Sequence, residues 1–366
     1  HRVDRRQRQM CIRDRHSRRI TMDKLYRDLV DLPGAPSFEK PVRDYMRKNL
    51  EPFVEEIIED RLGSIFGVIN KGSKGPKLMV AGHMDEVGAI VTGIDKTGLV
   101  KITNLGGVHG NVFLSQHFNI YTDDLEVIPG VTASKPPHLT RGSKEAPKEL
   151  KFTDLLIDIG ADNKEHAVEL GVKIGQQVIP HNNYTVSKDG KKFFSKAWDD
   201  RFGCGMSLEI ARDIKKEDID CELYVGATVQ EEVGLRGAQT AANLVKPDVF
   251  IAVDCSPCAD SFGGDDISGN IGEGFLLRFY DPSAIMHQGM KKFIIEEAEK
   301  NNIKFQYYKS MGGTDAAKVQ LSRNGVLVAT IGMPARYIHS TTSMISSDDY
   351  QEVKKMVYTC LLYTSD

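Results

Sequence analysis

The chain has 366 residues, of which 40% are hydrophobic and 27% are charged, and its formal net charge is −3. This composition excludes a disordered or fibrous protein, and the length is that of one large α/β unit or of two domains. No stretch approaches the roughly 20 consecutive apolar residues of a membrane-spanning helix, so the sequence predicts no membrane partner.

The two ends of the chain differ in composition from the rest. Residues 1–20 contain eight arginines and two aspartates without an apolar period, so the remaining 346 residues carry a net charge of −9. We expect 1–21 and 359–366 to be non-native tails, and therefore no nucleic acid as a partner of the basic end. The six cysteines follow no secretory leader, which predicts reduced thiols and a cytoplasmic location.

Three patterns follow one another along the rest of the chain. From 22 to 87, two amphipathic helices starting near 21 and 37 precede short apolar runs that are typical of strands. From 88 to 193, short glycine-rich β-runs with one helical insert near Lys164–Leu170 predict a small, mostly β domain. After 194 the elements alternate, with helices predicted at 200–216, 237–244, 284–300, 315–322 and 348–358 and strands at 222–229, 249–254, 304–308 and 325–331.

This order of elements predicts the fold class. Alternating strands and helices indicate an α/β fold with a mostly parallel sheet and helices on both of its faces. Segment 22–87 is too small to close a core, so we expect it to join 194–358 in one discontinuous catalytic domain. Residues 88–193 then form a β-rich insertion into that domain.

The first candidate site residues follow a strand of buried type. Val80, Ala81 and Gly82 lead directly into His83 and Asp85. Open α/β sheets bind ligands just past the carboxyl ends of their strands, so His83 emerges where a site is expected. Asp85 is close enough to support the second ring nitrogen of a metal-binding histidine. On its own, a histidine after a strand is more often structural.

Two adjacent aspartates mark the junction between the β-rich insertion and the returning helix. An aspartate at a helix start is most often an N-cap. If Asp200 interacts with the helix N-terminus, Asp199 can point into the cleft, where its carboxylate could bridge two cations.

Two further apolar strands end on carboxylates. One ends on Glu231 and Glu232, which repel each other unless cations or protons compensate, and the other ends on Asp254. His339 adds an imidazole near the end of the chain. A shared site explains the positions of these histidines and carboxylates better than coincidence does. Mixed imidazole and carboxylate ligands favour zinc, cobalt or manganese over calcium or magnesium. Two histidines and three carboxylates are enough for two ions that share one carboxylate.

A glycine-rich turn is the candidate for the substrate pocket. Gly312, Gly313, Thr314 and Asp315 open a predicted helix, and the backbone at Gly313 and Thr314 could line a pocket. Simple turn chemistry is an equally good explanation of the same residues.

Taken in order, these motifs resemble the tetrahedral (TET) metallo-aminopeptidases, metallopeptidase family 42, some members of which were named endoglucanase M. The resemblance covers roughly 22 to 358, and its motifs are Gly82–Gly88, Ala197–Arg201, Gln230–Gly234, Val253–Pro257, Gly312–Asp315 and Ile338–Ser340. It implies a zinc-peptidase-like α/β sandwich interrupted by a β-barrel-like dimerisation domain. It also implies dimers that assemble into a dodecameric tetrahedral shell.

The resemblance assigns a role to each candidate residue. His83, Asp199 and Asp254 would hold one ion, and Asp199, Glu232 and His339 would hold the other. Glu231 matches the general base of the family, and Asp85 matches the carboxylate that supports His83.

The expected function is a binuclear metal-dependent aminopeptidase, with zinc or cobalt, that removes N-terminal residues from short peptides. A deacylase or carboxypeptidase with the same two-ion core is the nearest alternative. A glycosidase would leave the two histidines without a task. A shell-forming scaffold without activity is the remaining alternative.

Overall fold

The computed structural model describes residues 24–134, 138 and 150–363. The predicted tail at 1–21 and the last three residues lie outside this description. The α-helices of the described residues are α1 (Lys24–Asp31), α2 (Lys40–Leu50), α3 (Lys164–Glu169), α4 (Trp198–Asp213), α5 (Arg236–Val245), α6 (Gln288–Lys300), α7 (Ala316–Gln320) and α8 (Ser347–Tyr363).

The strands are numbered in chain order. They are β1 (Glu56–Glu59), β2 (Ile65–Ile69), β3 (Lys77–His83), β4 (Gly88–Ile94), β5 (Val100–Leu105), β6 (His117–Tyr121), β7 (Val127–Thr132), β8 (Leu156–Asp158), β9 (Gln177–Pro180), β10 (Thr185–Val186), β11 (Lys192–Ser195), β12 (Glu222–Thr228), β13 (Val249–Pro257), β14 (Phe275–Tyr280), β15 (Phe305–Lys309), β16 (Leu327–Arg336) and β17 (Ser343–Ser346).

Eleven of the strands form one large mixed sheet. Its main path is β1-β2-β12-β3-β13-β16-β17-β11-β10, and β14 pairs with β16 on one side and β15 on the other. The centre, from β12 through β3 and β13 to β16, is parallel as predicted. Antiparallel pairs flank this centre on both sides. The α/β fold class is thus confirmed, with a parallel centre inside a mixed sheet.

The register of the parallel centre brings three strand ends to one edge. Thr228 pairs with His83, and Ala252 pairs with Ala81. The residues after these pairs, including Asp254 two positions after Ala252, therefore lie at the same end of the sheet. This edge carries the candidate site, because carboxyl ends of parallel strands point the same way.

Helices cover both faces of the large sheet. Alternate residues of β3 face opposite sides, so that Val80 packs in one apolar cluster with α4 and α8, while Met79 packs in the other with α5 and α7. Every residue of β12 is buried. Strands buried on both faces are continuous apolar runs, which is why the sequence pattern marked them clearly.

The inserted segment closes into a six-stranded barrel. The strand order is β4-β5-β8-β7-β6-β9, and the pairs within it are antiparallel. Its own core contains Val91, Ile102, Phe118, Ile157 and Val178. Because β4 begins five residues after His83, the barrel starts beside the site edge of the large sheet. None of the described helices is long and apolar enough to cross a membrane.

The structure differs from the sequence prediction at three places. β10 and β11 lie within the predicted insertion 88–193 but pair in the large sheet. β1, β7, β10, β14 and β17 were not predicted; β7 contains Pro129 and Gly130, which weaken the strand signal. α8 continues into the predicted tail 359–366 as far as Tyr363, and Leu361 is fully buried in the core.

Candidate metal centre

His83 occupies the last position of β3 and is 2% exposed. Its Nδ1 lies 3.0 Å from the backbone carbonyl oxygen of Asp85. A carbonyl can only accept a hydrogen bond, so Nδ1 carries a proton and Nε2 is the ring nitrogen left for a cation. Nε2 faces the cleft, 3.1 Å from Asp199 Oδ1. This tautomer is the one that a metal-binding histidine requires.

The Asp85 carboxylate lies beside His83 and also holds the glutamate pair. Its Oδ1 is 3.6 Å from His83 Nδ1, and Asp85 is among the groups that raise the pKa of His83. Its two oxygens accept the backbone N–H groups of Glu231, at 2.9 Å, and Glu232, at 3.0 Å. The side chain of Asp85 therefore fixes the position of the glutamate pair, while its backbone carbonyl orients His83.

Asp199 lies between the two predicted histidine ligands. Its Oδ1 is 3.1 Å from His83 Nε2 and its Oδ2 is 3.2 Å from His339 Nε2. Burial alone would raise the pKa of Asp199, but hydrogen bonds from His339 and His83 outweigh burial and lower that pKa. Each carboxylate oxygen thus faces a different imidazole.

Asp200 supports the site from behind, as the sequence suggested. Its Oδ1 accepts the N–H of Gly203 in the first turn of α4, and its Oδ2 accepts the N–H of His83, both at 3.0 Å. The peptide bond between Asp199 and Asp200 is cis. With both oxygens of Asp200 engaged, the Asp199 carboxylate is the one that faces the cleft.

His339 is held from the barrel side of the molecule. It has a φ of 58°, in the left-handed region, and its side chain is 33% exposed. Its Nδ1 donates to the carbonyl oxygen of Gly107, which follows β5 of the barrel, at 2.7 Å. Its Nε2 faces the cleft, 3.2 Å from Asp199 Oδ2 and 3.3 Å from Glu232 Oε1. Both histidines therefore have Nδ1 on a backbone carbonyl and Nε2 among carboxylates.

The two glutamates after β12 face different histidines. Glu231 Oε2 is 3.9 Å from His83 Nε2, whereas Glu232 Oε1 is 3.3 Å from His339 Nε2. Glu232 Oε1 is buried without a hydrogen-bond partner among the described residues. Asp254 was predicted to end its strand but lies three residues before the end of β13, and its Oδ1 is 4.0 Å from His83 Nε2. All five predicted metal ligands and the predicted base thus meet at one cleft.

The protonation of these groups reflects an excess of buried carboxylates. Burial raises the pKa of Glu231 well above its usual range, and Asp254 raises it further although His83 opposes the shift. Burial, followed by the charge of Asp199, raises the pKa of Asp254 in the same way. Burial disfavours the charged form of His339, but Asp199 and Glu232 outweigh it and raise its pKa to about 12. Bound protons neutralise part of the negative charge of these carboxylates, and a bound cation could neutralise it instead.

The donor set fits divalent cations. Ligand atoms of His83, Asp199 and Glu232 all lie within 4.8 Å of one another, and so do those of His83, Asp200 and Asp254. We assign Asp200 to the support of the site rather than to a cation, because backbone N–H groups occupy both its oxygens. Glu232 Oε1, which lacks a hydrogen bond, and the two Nε2 atoms, once they have lost their protons, are the kinds of ligand that zinc or cobalt prefers.

The two predicted substrate contacts differ in exposure. Gly313 is exposed at the surface, beside Ser283 and Leu235. Thr314 is fully buried, and its hydroxyl lies 3.2 Å from that of Thr330. The Thr314 side chain therefore packs inside the fold, and the role of the backbone at Gly313 and Thr314 stays a prediction.

Sequence reasoning did not identify two supporting carboxylates. Glu39 Oε1 accepts the N–H of Gln230, at 3.1 Å, and that of Ser37. Burial and the neighbouring Asp85 raise the pKa of Glu39 to about 7. Asp315 accepts the hydroxyl of Thr228, and burial raises its pKa to about 6. Asp315 could have been found as the acidic end of the glycine-rich turn, whereas nothing in the local sequence marks Glu39.

The fold and the site together define an α/β metallohydrolase: the edge of a parallel sheet presents two imidazoles and several buried carboxylates to one cleft. The family described as M42 glutamyl aminopeptidase matches residues 63–356. The chain belongs to this family, which is metal-dependent, and it is an aminopeptidase, a hydrolase of peptides.

Comparisons with individual proteins agree with this assignment. The chain is similar to the glutamyl aminopeptidase of Lactococcus lactis, with 41% identity over 89% of this chain and 92% of that protein. It is also similar in structure to a TET aminopeptidase from a marine sediment archaeon, Thaumarchaeota archaeon SCGC AB-539-E09. That comparison gives a TM-score of 0.88 and 34% identity, and covers 93% of this chain and 97% of the other.

A third relative carries information about assembly. The TET1 peptidase of Pyrococcus horikoshii, described as able to assemble into a tetrahedron or a large octahedral shell, superposes with a TM-score of 0.82 at 29% identity. The match covers 92% of this chain and 98% of that one.

Proposed function

We propose that the chain removes N-terminal residues from short peptides with two divalent cations, zinc or cobalt. His83, Asp199 and Asp254 would hold one cation, and Asp199, Glu232 and His339 would hold the other. The observation that carries this proposal is the position of Asp199, whose two oxygens lie 3.1 Å and 3.2 Å from the two histidine Nε2 atoms. When bound, such cations supply Lewis acidity, which polarises a peptide carbonyl and acidifies water.

Glu231 is the proposed general base. Its backbone N–H is held by Asp85, while its carboxylate faces the cleft near His83 without being part of the proposed ligand set. Burial raises the pKa of Glu231 well above its usual range, as is common for a carboxylate that acts as a general base. Glu231 would take the proton of the attacking water at its carboxylate and pass it to the leaving amine. Glu232 meanwhile faces His339, so the adjacent glutamates have separate tasks.

The two parts of the fold have separate proposed tasks. Residues 22–87 and 194–358 would form the catalytic domain, and the barrel would form the contact between subunits in a dimer and in a tetrahedral dodecamer. Large apolar side chains exposed on the barrel support this, for example Val127 at 50% and Ile174 at 74%. Cys204, Cys255, Cys258 and Cys360 are buried cysteines without a disulfide, which supports the predicted cytoplasmic location.

A substrate panel tests the proposed activity. The metal-stripped chain is assayed with zinc, cobalt or manganese on aminoacyl-p-nitroanilides, on N-blocked peptides and on carboxymethyl-cellulose. We expect hydrolysis of the unblocked substrates alone. Among these, the rates for acidic N-terminal residues are compared first with those for leucine and lysine. Cleavage of blocked peptides would favour the deacylase or carboxypeptidase alternative. Full activity in the presence of a chelator would contradict the proposed metal chemistry.

A further inference from the structure

Three charged side chains form a buried cluster at the wall of the candidate metal centre. Lys196 Nζ lies 2.7 Å and 2.8 Å from the two carboxylate oxygens of Glu86, and Arg201 Nη2 lies 3.2 Å from one of them. Each of the three residues is at most 2% exposed. Glu86 and Lys196 also line the small cleft that contains Asp199, Glu232 and His339. None of the three belongs to the proposed ligand set or acts as the base.

Arg201 uses its remaining donors on backbone carbonyls from two other segments. Its Nε donates to Met84 at 2.7 Å, and its Nη1 donates to Leu29 at 2.6 Å and to Leu32 at 2.9 Å. Lys196 also donates to Leu32, at 3.2 Å. The cluster therefore ties α1 and the residues after it to the loop 84–86 and to the beginning of α4.

The segments joined by this cluster are those that carry the site. Loop 84–86 lies directly after His83 and contains Asp85, which holds the backbone of the two glutamates. Lys196 and Arg201 lie on either side of Asp199, three residues before it and two residues after it. The cluster thus fixes the distance between the strand that carries His83 and the junction that carries Asp199.

Stability does not explain this arrangement. Two positively charged side chains, Lys196 and Arg201, share the one carboxylate of Glu86. Burial of charged side chains costs free energy that an ion pair does not fully return. A surplus positive charge at the wall of the cleft would by itself repel a divalent cation. A cluster that is weak evidence for stability and opposes the bound ion by its charge is explained by what it positions.

We infer that Glu86, Lys196 and Arg201 are positioning residues that hold His83 and Asp199 at the separation a divalent cation needs. The inference rests on the proposed function. Electrostatic repulsion alone predicts that loss of the Lys196 charge strengthens the binding of the metal ion. The inference predicts the reverse, that loss of this charge weakens the binding.

The test compares Lys196→Met with Lys354→Met in the full chain. Lys354 forms an equally buried ion pair, 3.1 Å from Glu209. Glu209 lies on the same helix as Arg201, about 12 Å further along its axis, and is not part of the candidate centre. Co²⁺ binding to the metal-stripped protein is followed by visible absorption, together with thermal unfolding, kcat and KM.

We expect Lys196→Met to weaken Co²⁺ binding about tenfold, as loss of an outer supporting group typically does, and to lower kcat with little change in KM. Lys354→Met should lower the unfolding temperature and leave Co²⁺ binding intact. Lys196→Arg keeps the charge and should restore most of the affinity. Lys196→Gln serves the same comparison if the methionine variant does not fold.

Two results would overturn the inference. Unchanged or tighter Co²⁺ binding in both Lys196→Met and Lys196→Gln would mean that the cluster does not position the ligands. Absence of Co²⁺ binding by the unaltered chain would instead remove the proposed function, and the inference with it.

Discussion

The candidate metal centre has two halves that are built in different ways. The inner half has His83, the last residue of β3, and Asp254, which lies three residues before the end of β13, and the His83 side chain is 3% exposed. The outer half, with His339 and Glu232, lies on loops, and the His339 side chain is 33% exposed. Asp199 belongs to both halves.

The hydrogen bonds that orient the two imidazoles show the same difference. His83 Nδ1 donates to a carbonyl two residues later in the chain, whereas His339 Nδ1 donates to Gly107, 232 residues away at the barrel. The inner half is therefore a product of the sheet itself. The outer half exists only where the large sheet and the barrel are correctly placed, so we expect it to bind its cation less tightly.

The largest predicted effect concerns Glu231, which is a ligand in neither half. Glu231→Gln should lower kcat by about 10² to 10⁴-fold, because the general base is lost while the side chain keeps its size. Bound metal, measured by atomic absorption, should remain at the level of the unaltered protein. Loss of metal together with activity would make Glu231 a ligand, and full activity would exclude it as the base.

Replacement of each histidine tests the comparison directly. His339→Ala should weaken the binding of the outer cation by about 100-fold or more and leave one equivalent of tightly bound cation. The effect should exceed that of losing a residue that only supports a ligand. His83→Ala should remove the inner cation and also lower the unfolding temperature, because its side chain is buried. Metal content after dialysis separates the two variants. Equal losses from both would show that the halves are not independent.

The pH dependence of stability should report on Glu39, which supports the turn before the two glutamates. Its pKa rises from 4.5 to about 7 on folding, so it favours the folded state most below pH 4.5, and this contribution is lost as the pH rises to about 7. In metal-free protein, the free energy of unfolding of Glu39→Gln, relative to that of the unaltered chain, should therefore increase by about 3 kcal/mol from pH 4.5 to pH 8. Denaturant unfolding at both pH values measures this difference. If the difference in free energy of unfolding between the two proteins is the same at both pH values, the raised pKa of Glu39 is refuted.

The smallest predicted effect concerns the contact between barrel and outer half. The Thr341 hydroxyl lies 3.3 Å from Gln116 Oε1, which lies just before β6. Gln116→Ala should cost about 1 kcal/mol or less in stability and weaken the outer cation a few-fold while the inner cation is unaffected. Thr97→Ala removes a hydrogen bond with Asp95 in a barrel turn away from this contact and is the matched control. If both variants change metal binding equally, the barrel contact has no specific role.

Much of the inner half was visible in the sequence. The strands β3, β12 and β13 are apolar runs that end at or near His83, Glu231 and Asp254, because burial on both faces excludes polar residues until the strand leaves the core. The family and the aminopeptidase activity followed from the order of these motifs and are confirmed. The individual roles of the ligands and of the base remain predictions.

The outer half was less visible, although His339 itself was predicted. The acceptor of its Nδ1 proton is the backbone carbonyl of Gly107, and every residue has such a carbonyl, so the amino-acid sequence cannot mark this one. The same holds for the backbone N–H groups that bind the Asp85 carboxylate. The sequence predicted only that this carboxylate supports His83, from its proximity along the chain and from the family resemblance.

The sequence by itself determined which side chains can meet at the edge of the sheet, since apolar periodicity and the polar residues that end each run are local properties of the chain. Only the tertiary structure decided which nitrogen of each imidazole faces the cleft, how the barrel supports His339, and that Lys196 and Arg201 share Glu86. These contacts join segments that are far apart in the chain, and their partners are backbone atoms or buried charges that no local pattern specifies.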